Sequence, residues 1–431
     1  MTIWMMRPFS HPFIDWEWVP SAVACWNQGV DVYVDNTCYA PIAHGRHAYS
    51  PLWLRATFLP LGPQWFAPVG LAVAVLFLLS LACLPPPRRR LDFVILLLAA
   101  TSSLTVFAIE RGNVDIIMFL MAILGVQLWA GRLPQRLGAY AVFTGMGLLK
   151  FYPLVLLLLA LRERARIFIA VSLAAATVVI GFVCGYWDEL RAATHNVATG
   201  SYFTDLFGAM NLPYGLASLG LRAAARHGVT DSATLVLIGR DMPRALLVIL
   251  VLEAAIRALW LSKRRGVGRG VAALPARDRG FLLAGAVLIC GCFFAGQNIG
   301  YRAIFLLLVL PGLLKLAQTL PGVAGRMMLG TCVAILFVMW VLFLQFWLYA
   351  INIKEVMPGE GLERTVSGML HWGLHELAWW WIIGVLLSTI VGFVLDAPIW
   401  RTVIGRGCPI ARQPPSISNH DTGRAVARRG K

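Results

Sequence analysis

Eleven apolar runs, separated by short polar breaks, constrain this chain more than any other feature. They fall at 66–84, 91–109, 114–130, 137–149, 152–161, 167–186, 245–261, 281–295, 303–320, 327–350 and 374–395. A helix of about 20 apolar residues crosses a hydrocarbon layer of about 30 Å, and helices are one of only two structures that satisfy their own backbone there. Of the 431 residues, 59% are hydrophobic and only 13% charged, far from the balance of a soluble domain. The expected fold class is therefore an all-α polytopic membrane protein. It should have about eleven transmembrane or re-entrant helices, with outer-face loops and short interfacial helices. The runs 137–149 and 152–161 are too short to cross as straight helices. They read as a hairpin, with Pro153 in the first turn of its second arm.

Basic residues set the orientation. The connections carrying Arg88-Arg89-Arg90, Arg132 and Arg136, Arg162, Arg164 and Arg166, residues 263–279, Arg326 and the tail after Trp400 fall on one side. That side holds 22 Lys and Arg against 13 on the other, with Arg257 and Lys315 inside runs. The richer side is expected to be cytoplasmic. About 15 of the 21 acids fall on the opposite, outer side. The formal charge of +16 is thus spread along the cytoplasmic face, where anionic membrane lipids suffice as partners and nucleic acid is not called for. The chain divides into an outer segment, 1–65, with an amphipathic helix at 13–26 expected on the membrane surface. Helices follow at 66–186, then a large outer loop at 187–244, helices at 245–400 and a basic cytoplasmic tail at 401–431. Residues 216–226 form a small basic amphipathic helix in that loop. An outer N-terminus without a signal segment is awkward, and one further span ahead of Met1 would resolve it.

Cys25 and Cys38 share one hydrophilic segment and can pair if it faces an oxidising compartment; Cys290 and Cys292 lie inside an apolar run and read as packing. His11, His44 and His47 have no regular spacing and carry little metal signal. His371 and His375 are four apart, but Trp372 stands where the zinc-protease order requires a glutamate. These two, with Glu355, Glu360, Glu363 and Glu376, are read as a solvated outer loop.

The polar stretches at the ends of the apolar runs are the informative ones, because ionisable groups there are costly and mark sites. Four recur on the outer side. The first is Asp15-Trp16, followed by Gly29-Val30-Asp31-Val32-Tyr33 and Tyr49-Ser50-Pro51-Leu52-Trp53. The second is Glu110-Arg111-Gly112-Asn113-Val114-Asp115. The third is Leu149-Lys150-Phe151-Tyr152-Pro153, and the fourth Tyr301-Arg302-Ala303-Ile304-Phe305-Leu306. In this order and spacing the chain resembles the C superfamily of membrane glycosyltransferases. It is most similar to family 87, the polyprenyl-phosphate-mannose-dependent mannosyltransferase-like proteins. The resemblance covers most of residues 13–312. It departs at Gly300, where many relatives carry an acid, and in the span expected ahead of Asp15.

The resemblance implies a hexosyltransferase at the outer face of the cell membrane. It would take a sugar, such as mannose, from a polyprenyl-phosphate donor and pass it to a hydroxyl of a glycolipid or glycan acceptor in one inverting step; no cofactor is expected and no metal-ligating residues are singled out. It implies Asp15 as general base. Lys150, Arg302 and Arg111 are the candidates for the donor phosphate, and Asn113, Asp115, Tyr152 and Tyr301 for further substrate contacts. The residue types suit the chemistry: an acceptor hydroxyl needs a base within hydrogen-bond reach, and a departing phosphate needs fixed cations. Residues 1–431 carry no dinucleotide fingerprint or phosphate-binding loop, so a lipid-linked donor replaces a nucleotide sugar. A transporter would also use a broken hairpin beside a charge, but no internal repeat is visible and the polar residues gather in outer loops. A lipid-linked glycan polymerase or ligase would likewise use a large outer loop.

The orientation yields a direct test. Single cysteines at Ser201 and Ser416 should differ in intact cells: an impermeant thiol reagent labels position 201 and spares 416. Labelling of 416 alone would invert the topology.

Overall fold

The computed structural model describes residues 12–38, 45–57, 62–197, 200–203, 206–352 and 365–399. Helix α1 (Ile14–Asn27) opens it, followed by a 3-10 turn at Pro51–Arg55. Next come α2 (Phe66–Ser80), α3 (Arg90–Ala100), α4 (Ser103–Arg111), α5 (Val114–Trp129) and α6 (Leu133–Leu149). A 3-10 helix, Tyr152–Arg162, connects to α7 (Ala165–Gly185), α8 (Trp187–His195), strand β1 (Leu206–Phe207) and α9 (Asn211–Arg226). Helix α10 (Ser232–Arg264) contains one π turn, and α11 (Val267–Ala273) and α12 (Ala276–Ala295) follow. Strand β2 (Asn298–Ile299) and a 3-10 turn (Gly300–Phe305) run into α13 (Leu306–Thr319). Helices α14 (Gly322–Met339), α15 (Val341–Asn352) and α16 (Val366–Leu395) come last. The two short strands pair antiparallel, Leu206 with Ile299 and Phe207 with Asn298.

The protein is an all-α membrane protein. Among the described residues seven helical segments are long and apolar enough to cross a membrane, and eight if the bent α3–α4 pair is one span. That is fewer than the eleven expected. Every expected run is helical, but α5, the Tyr152–Arg162 helix and Val341–Ile351 are short, and the run 327–350 divides at Trp340 into α14 and α15. The bend of 41° between α3 and α4 arises at Thr101 and Ser102. There the Thr101 hydroxyl donates to the Leu97 carbonyl and Ser102 caps α4 by accepting from Thr105 N–H.

Burial separates the centre from the lipid-facing rim. The most apolar windows of α12 and of Gly300–Thr319 are 78% and 83% buried, against 17% for α7 and 22% for α10. The central pair packs closely because two glycines permit it. A Cβ on Gly285 would lie 2.6 Å from Val309, and one on Gly312 would lie 2.7 Å from Leu282.

Ion pairs knit the arginine-rich connections at one end of the bundle. Arg136 donates to both oxygens of Glu163, at 2.6 and 2.9 Å, and Tyr140 donates to the same carboxylate at 2.8 Å. Arg162 donates to the Trp129 carbonyl, Lys315 pairs with Asp278, and Gln318 donates to Asp92.

Helix α1 departs from expectation. It is not an exposed amphipathic helix: Trp16, Val19, Ala22, Val23 and Cys25 are all buried against protein. Its apolar residues surround it with no strong single face, so protein on several sides is the only way to cover them. Cys25 and Cys38 form a disulfide that folds the following segment back on the helix. Asn196 fastens that segment to α8 by donating to the carbonyls of Tyr33 and His47. The loop expected at 187–244 is also largely helical, since α8 and α9 lie in it and α10 begins at Ser232.

His47 is fully buried between the rings of Tyr33 and Tyr49, 5.4 and 5.8 Å away. Burial pushes its pKa down to about 4. Between that value and the ordinary 6.5 the unfolded chain takes up a proton that the folded chain refuses. Stability therefore falls as pH drops from about 6.5 to about 4, by ~3 kcal/mol. Thermal unfolding of the detergent-solubilised protein should show this loss, and His47→Phe should flatten it; an unchanged pH dependence in the variant would exclude His47 as the cause.

Candidate functional site

The site begins with a tight turn. Helix α4 ends at Gly112, whose φ of 60° is left-handed, a conformation glycine adopts without steric cost. The turn brings Gly112 against Phe13. Phe13 donates its N–H to the Glu110 carbonyl at 2.6 Å, and its own carbonyl accepts from Trp16 and Glu17 to start α1. Phe13 is itself left-handed, with φ 65°, the one non-glycine residue of that kind among the described residues. Its ring fills space left by Gly70, and its Cα lies 3.1 Å from where a Cβ on Gly112 would stand. A bulky residue in this region costs about 1–3 kcal/mol and persists only where its surroundings enforce it. The effect is to hold Asp15 against Arg111.

Asn113 is the junction of the network. Its Oδ1 caps α5 by accepting from Asp115 N–H at 2.9 Å, and also accepts from Lys150 Nζ at 3.3 Å. Its Nδ2 donates to Asp15 Oδ2 at 2.7 Å and to the Tyr301 hydroxyl at 2.8 Å. Arg111 pairs with the other oxygen of Asp15. No side chain caps α1; the Asp15 carboxylate is engaged by Arg111 and Asn113 instead.

Asp115, two residues further on, is fully buried. Lys150 Nζ stands 2.7 Å from its Oδ1, the Tyr152 hydroxyl donates to the same oxygen at 2.7 Å, and Arg302 Nε donates to Oδ2 at 3.1 Å. Arg302 also donates to Asn298 Oδ1. The side chain of Asn298 is in turn held by the carbonyls of Cys292 and Gly296, so β2 and the end of α12 fix the guanidinium. Lys150 sits at the break between α6 and the Tyr152–Arg162 helix, in extended backbone that ends the α6 ladder. The Trp53 indole donates to the Leu149 carbonyl at 3.2 Å and seals the tip of that hairpin. Tyr49 presents its ring 5.5 Å from Lys150 Nζ. Burial, with Asp15 and Asp115 nearby, raises the Tyr49 pKa and keeps its phenol neutral.

All eight residues singled out from the sequence, Asp15, Arg111, Asn113, Asp115, Lys150, Tyr152, Tyr301 and Arg302, thus join one hydrogen-bonded network. They do not stand alike in it. Asp15, Arg111 and Arg302 keep 12%, 22% and 21% of their side-chain surface, whereas Asp115 keeps none. Both oxygens of Asp115 are already engaged by Lys150, Tyr152 and Arg302. It orients Lys150 and Arg302 from behind. Tyr49, Trp53 and Asn298 belong to the site without having been singled out, although the first two lie inside a quoted motif and the third stands four residues before Arg302.

The reading of 371–376 as solvated loop is corrected. His371, His375 and Glu376 lie on α16, and the last two are buried. His375 Nε2 accepts from the Trp379 indole at 3.0 Å, which leaves Nδ1 to face Glu376 Oε1 at 3.3 Å. The helical spacing of His375 and Trp379, and the start of the apolar run at Leu374, were signals for this. His11, His44, Glu355, Glu360, Glu363 and the basic tail lie outside the described residues.

No protein-family model, curated protein or solved structure matches the chain. The class that fold and site define is a polytopic α-helical membrane protein with a buried, charged network where four distant segments meet.

Removing the charge of Asp115 should cost more than removing that of Asp15. Asp115→Asn leaves Lys150 and Arg302 beside each other in a buried site, and breaking such a pairing costs about 3–5 kcal/mol. Its thermal midpoint in detergent should drop well below that of Asp15→Asn. Equal midpoints would mean that Asp115 is not the anchor.

Proposed function

We propose that the chain is a membrane hexosyltransferase of the family 87 type, which moves a sugar such as mannose from a polyprenyl-phosphate donor to an acceptor hydroxyl at the outer face. The observation that carries this reading is the convergence of four separated motifs on one charged network. Asp15, Arg111, Asn113, Asp115, Lys150, Tyr301 and Arg302 come from segments up to 188 residues apart along the linked pairs, yet direct hydrogen bonds and ion pairs join them into one chain of contacts. A purely structural bundle has no need of that, because buried ionic groups rarely stabilise a fold more than apolar ones would.

The charge balance supports a lipid monophosphate donor. Among the described residues, three cations less two carboxylates give the network one positive charge. A sugar linked through a phosphodiester carries one negative charge and neutralises it. A diphosphate-linked sugar would bring two. In this reading Arg111 and Arg302, which keep exposed surface, meet the phosphate, and Lys150 supports them from within. Gly300 stands where relatives carry an acid, and here Asp115 and Asn298 are the partners of Arg302.

In the reaction the acceptor oxygen attacks the anomeric carbon and its proton passes to Asp15. The bond from that carbon to the phosphate oxygen breaks, and the leaving polyprenyl phosphate gains the negative charge that fixed cations stabilise. Arg111 and Asn113 each hold one oxygen of Asp15, so the carboxylate is oriented while each oxygen keeps a lone pair for the incoming proton. The disulfide between Cys25 and Cys38 suits an oxidising, outer compartment, as does the excess of Lys and Arg at the opposite end of the helices. The finer count of about eleven transmembrane or re-entrant helices belongs to the same reading, with the hairpin of α6 and Tyr152–Arg162 as the re-entrant pair.

The purified protein, given a polyprenyl-phosphate mannose and extracted envelope lipids, should form a mannosylated product. Asp15→Asn should bind donor normally and lower transfer by roughly 10²–10⁴-fold. Lys150→Met should weaken donor use. Normal turnover by Asp15→Asn would remove it as the base, and no transfer by the native protein from any polyprenyl-phosphate sugar would sink the reading itself.

A further inference from the structure

An ion pair sits at the middle of a lipid-facing helix. Helix α10 belongs to the rim of the bundle, with only 22% of its most apolar window buried. Glu253 stands at the centre of the apolar run 245–261, about 12 Å from either end. Arg257, one turn on, donates from Nε at 2.7 Å and from Nη2, both to Glu253 Oε1. The glutamate side chain keeps 44% of its surface and the arginine 25%. Neither belongs to the Asp15–Asp115 network.

The direction of Arg257 is informative. A long arginine near a helix end reaches toward the headgroups, and Lys263 and Arg264 mark the nearer end here. Arg257 instead turns back toward the centre of the helix to meet Glu253. Its guanidinium lies 5.3 Å from the centroid of the Trp381 ring on α16. Its stem passes Gly384 of the same helix, where a Cβ would stand 3.0 Å from Arg257 Cδ. Helix α16 thus holds the arginine at membrane depth, and the pairing there is incomplete. Both donor atoms address Oε1, so among the described residues Glu253 Oε2 and Arg257 Nη1 have no hydrogen-bond partner. Ionic groups open to hydrocarbon are costly, and within spans they face protein or water. The surface around them is apolar, with the side chains of Ile249, Leu252, Ile256 and Trp260 exposed. Together these residues form two neighbouring rows at i, i+4 spacing, Ile249-Glu253-Arg257 and Leu252-Ile256-Trp260. Such rows are the ridges by which one helix packs into the grooves of another.

We infer that this face of α10 packs against the same face of a second copy of the chain, as a two-fold dimer within the membrane. Charge complementarity selects the second copy. A free acceptor, Glu253 Oε2, and a free donor, Arg257 Nη1, lie one helical turn apart on one face. A two-fold axis along the membrane normal brings two such faces together at the same depth. Arg257 of each copy then reaches Glu253 of the other, as a self-complementary interface requires. Two half-satisfied pairs become a ring of four charges with no net charge, and the apolar rows cover it from lipid. A different membrane protein would have to bring a cation and an anion at that spacing and depth, whereas the chain itself supplies both. The inference stands on α10 and α16 and does not rest on the transferase reading.

The test uses the full chain in its membrane, with the exposed Cys83 and Cys184 changed to alanine. On mild oxidation Ile256→Cys should give a disulfide-linked dimer, and Leu173→Cys on α7, similarly exposed, should not. Glu253→Gln and Arg257→Gln, each added to Ile256→Cys, should lower dimer formation about tenfold, the size of a polar contact between helices in lipid. The two variants, carrying different tags and expressed together, should link to each other more than either links to itself. Only the mixed dimer keeps an Arg257–Glu253 pair across the interface. A role of the pair within one chain cannot produce that preference, because neither variant retains the pair in its own chain. Ile256→Cys that links no more than Leu173→Cys would overturn the dimer. Equal self-linking and cross-linking in the mixture would overturn it as well, as would linkage of Ile256→Cys to another protein with no self-linked product.

Discussion

A buried carboxylate with two cations on it governs this structure. Asp115 has no exposed surface, and an isolated ionised carboxylate could not remain there. Lys150 and Arg302 make its burial tolerable, and each comes from a different part of the chain. The α6 hairpin must break where it does to deliver Lys150, and β2 must pair with β1 to deliver Arg302 by way of Asn298. The short hairpin, the two-residue strands and the cap on α5 are thus conditions of one electrostatic arrangement. Energetically the arrangement does not need to add stability; it needs only to be costly to disrupt, which ties four segments to one geometry.

The second constraint is steric. Phe13 is locked in a left-handed conformation by hydrogen bonds on both sides and by two glycines, one on α2 and one at the end of α4. This wedge transmits the position of α4 to α1. Asp15 is then placed by packed backbone, and the salt bridge to Arg111 refines what the wedge has set. The disulfide and Asn196 secure the far end of the same segment, so the cover over the network is held at both ends.

Much of this was legible in the sequence because it follows from local chemistry. The helical nature of every apolar run depends on residues within the run, and the hairpin break at Lys150-Phe151-Tyr152-Pro153 follows from the missing N–H of Pro153. The eight polar residues were legible as a group because each stands at the end of an apolar run, where charge is costly. What local pattern cannot give is which surface covers a segment. Helix α1 reads as interfacial because lipid and protein offer its aromatic residues the same apolar partner, and only Gly112 and α8, distant in sequence, decide between them. Likewise His375 and Glu376 read as loop because charge near a run end suggests water, whereas Trp379 and the neighbouring β1–β2 region provide cover from elsewhere in the chain. The depth of Asp115, which sets it apart from Asp15, is also a matter of distant partners.

The linked pairs of the network span 96, 98, 187 and 188 residues, and this imposes an order on its making. As synthesis proceeds from the N-terminus, Asp15 waits for Arg111, and Asp115 for Lys150; at that stage the two carboxylates and two cations cancel. Only when Arg302 arrives does the assembly acquire its single surplus charge, and with it any pull on an anion. A half-inserted chain therefore holds a neutral, inert precursor of the network. The network thus gains its surplus charge late in synthesis, with only α13 to α16 still to follow.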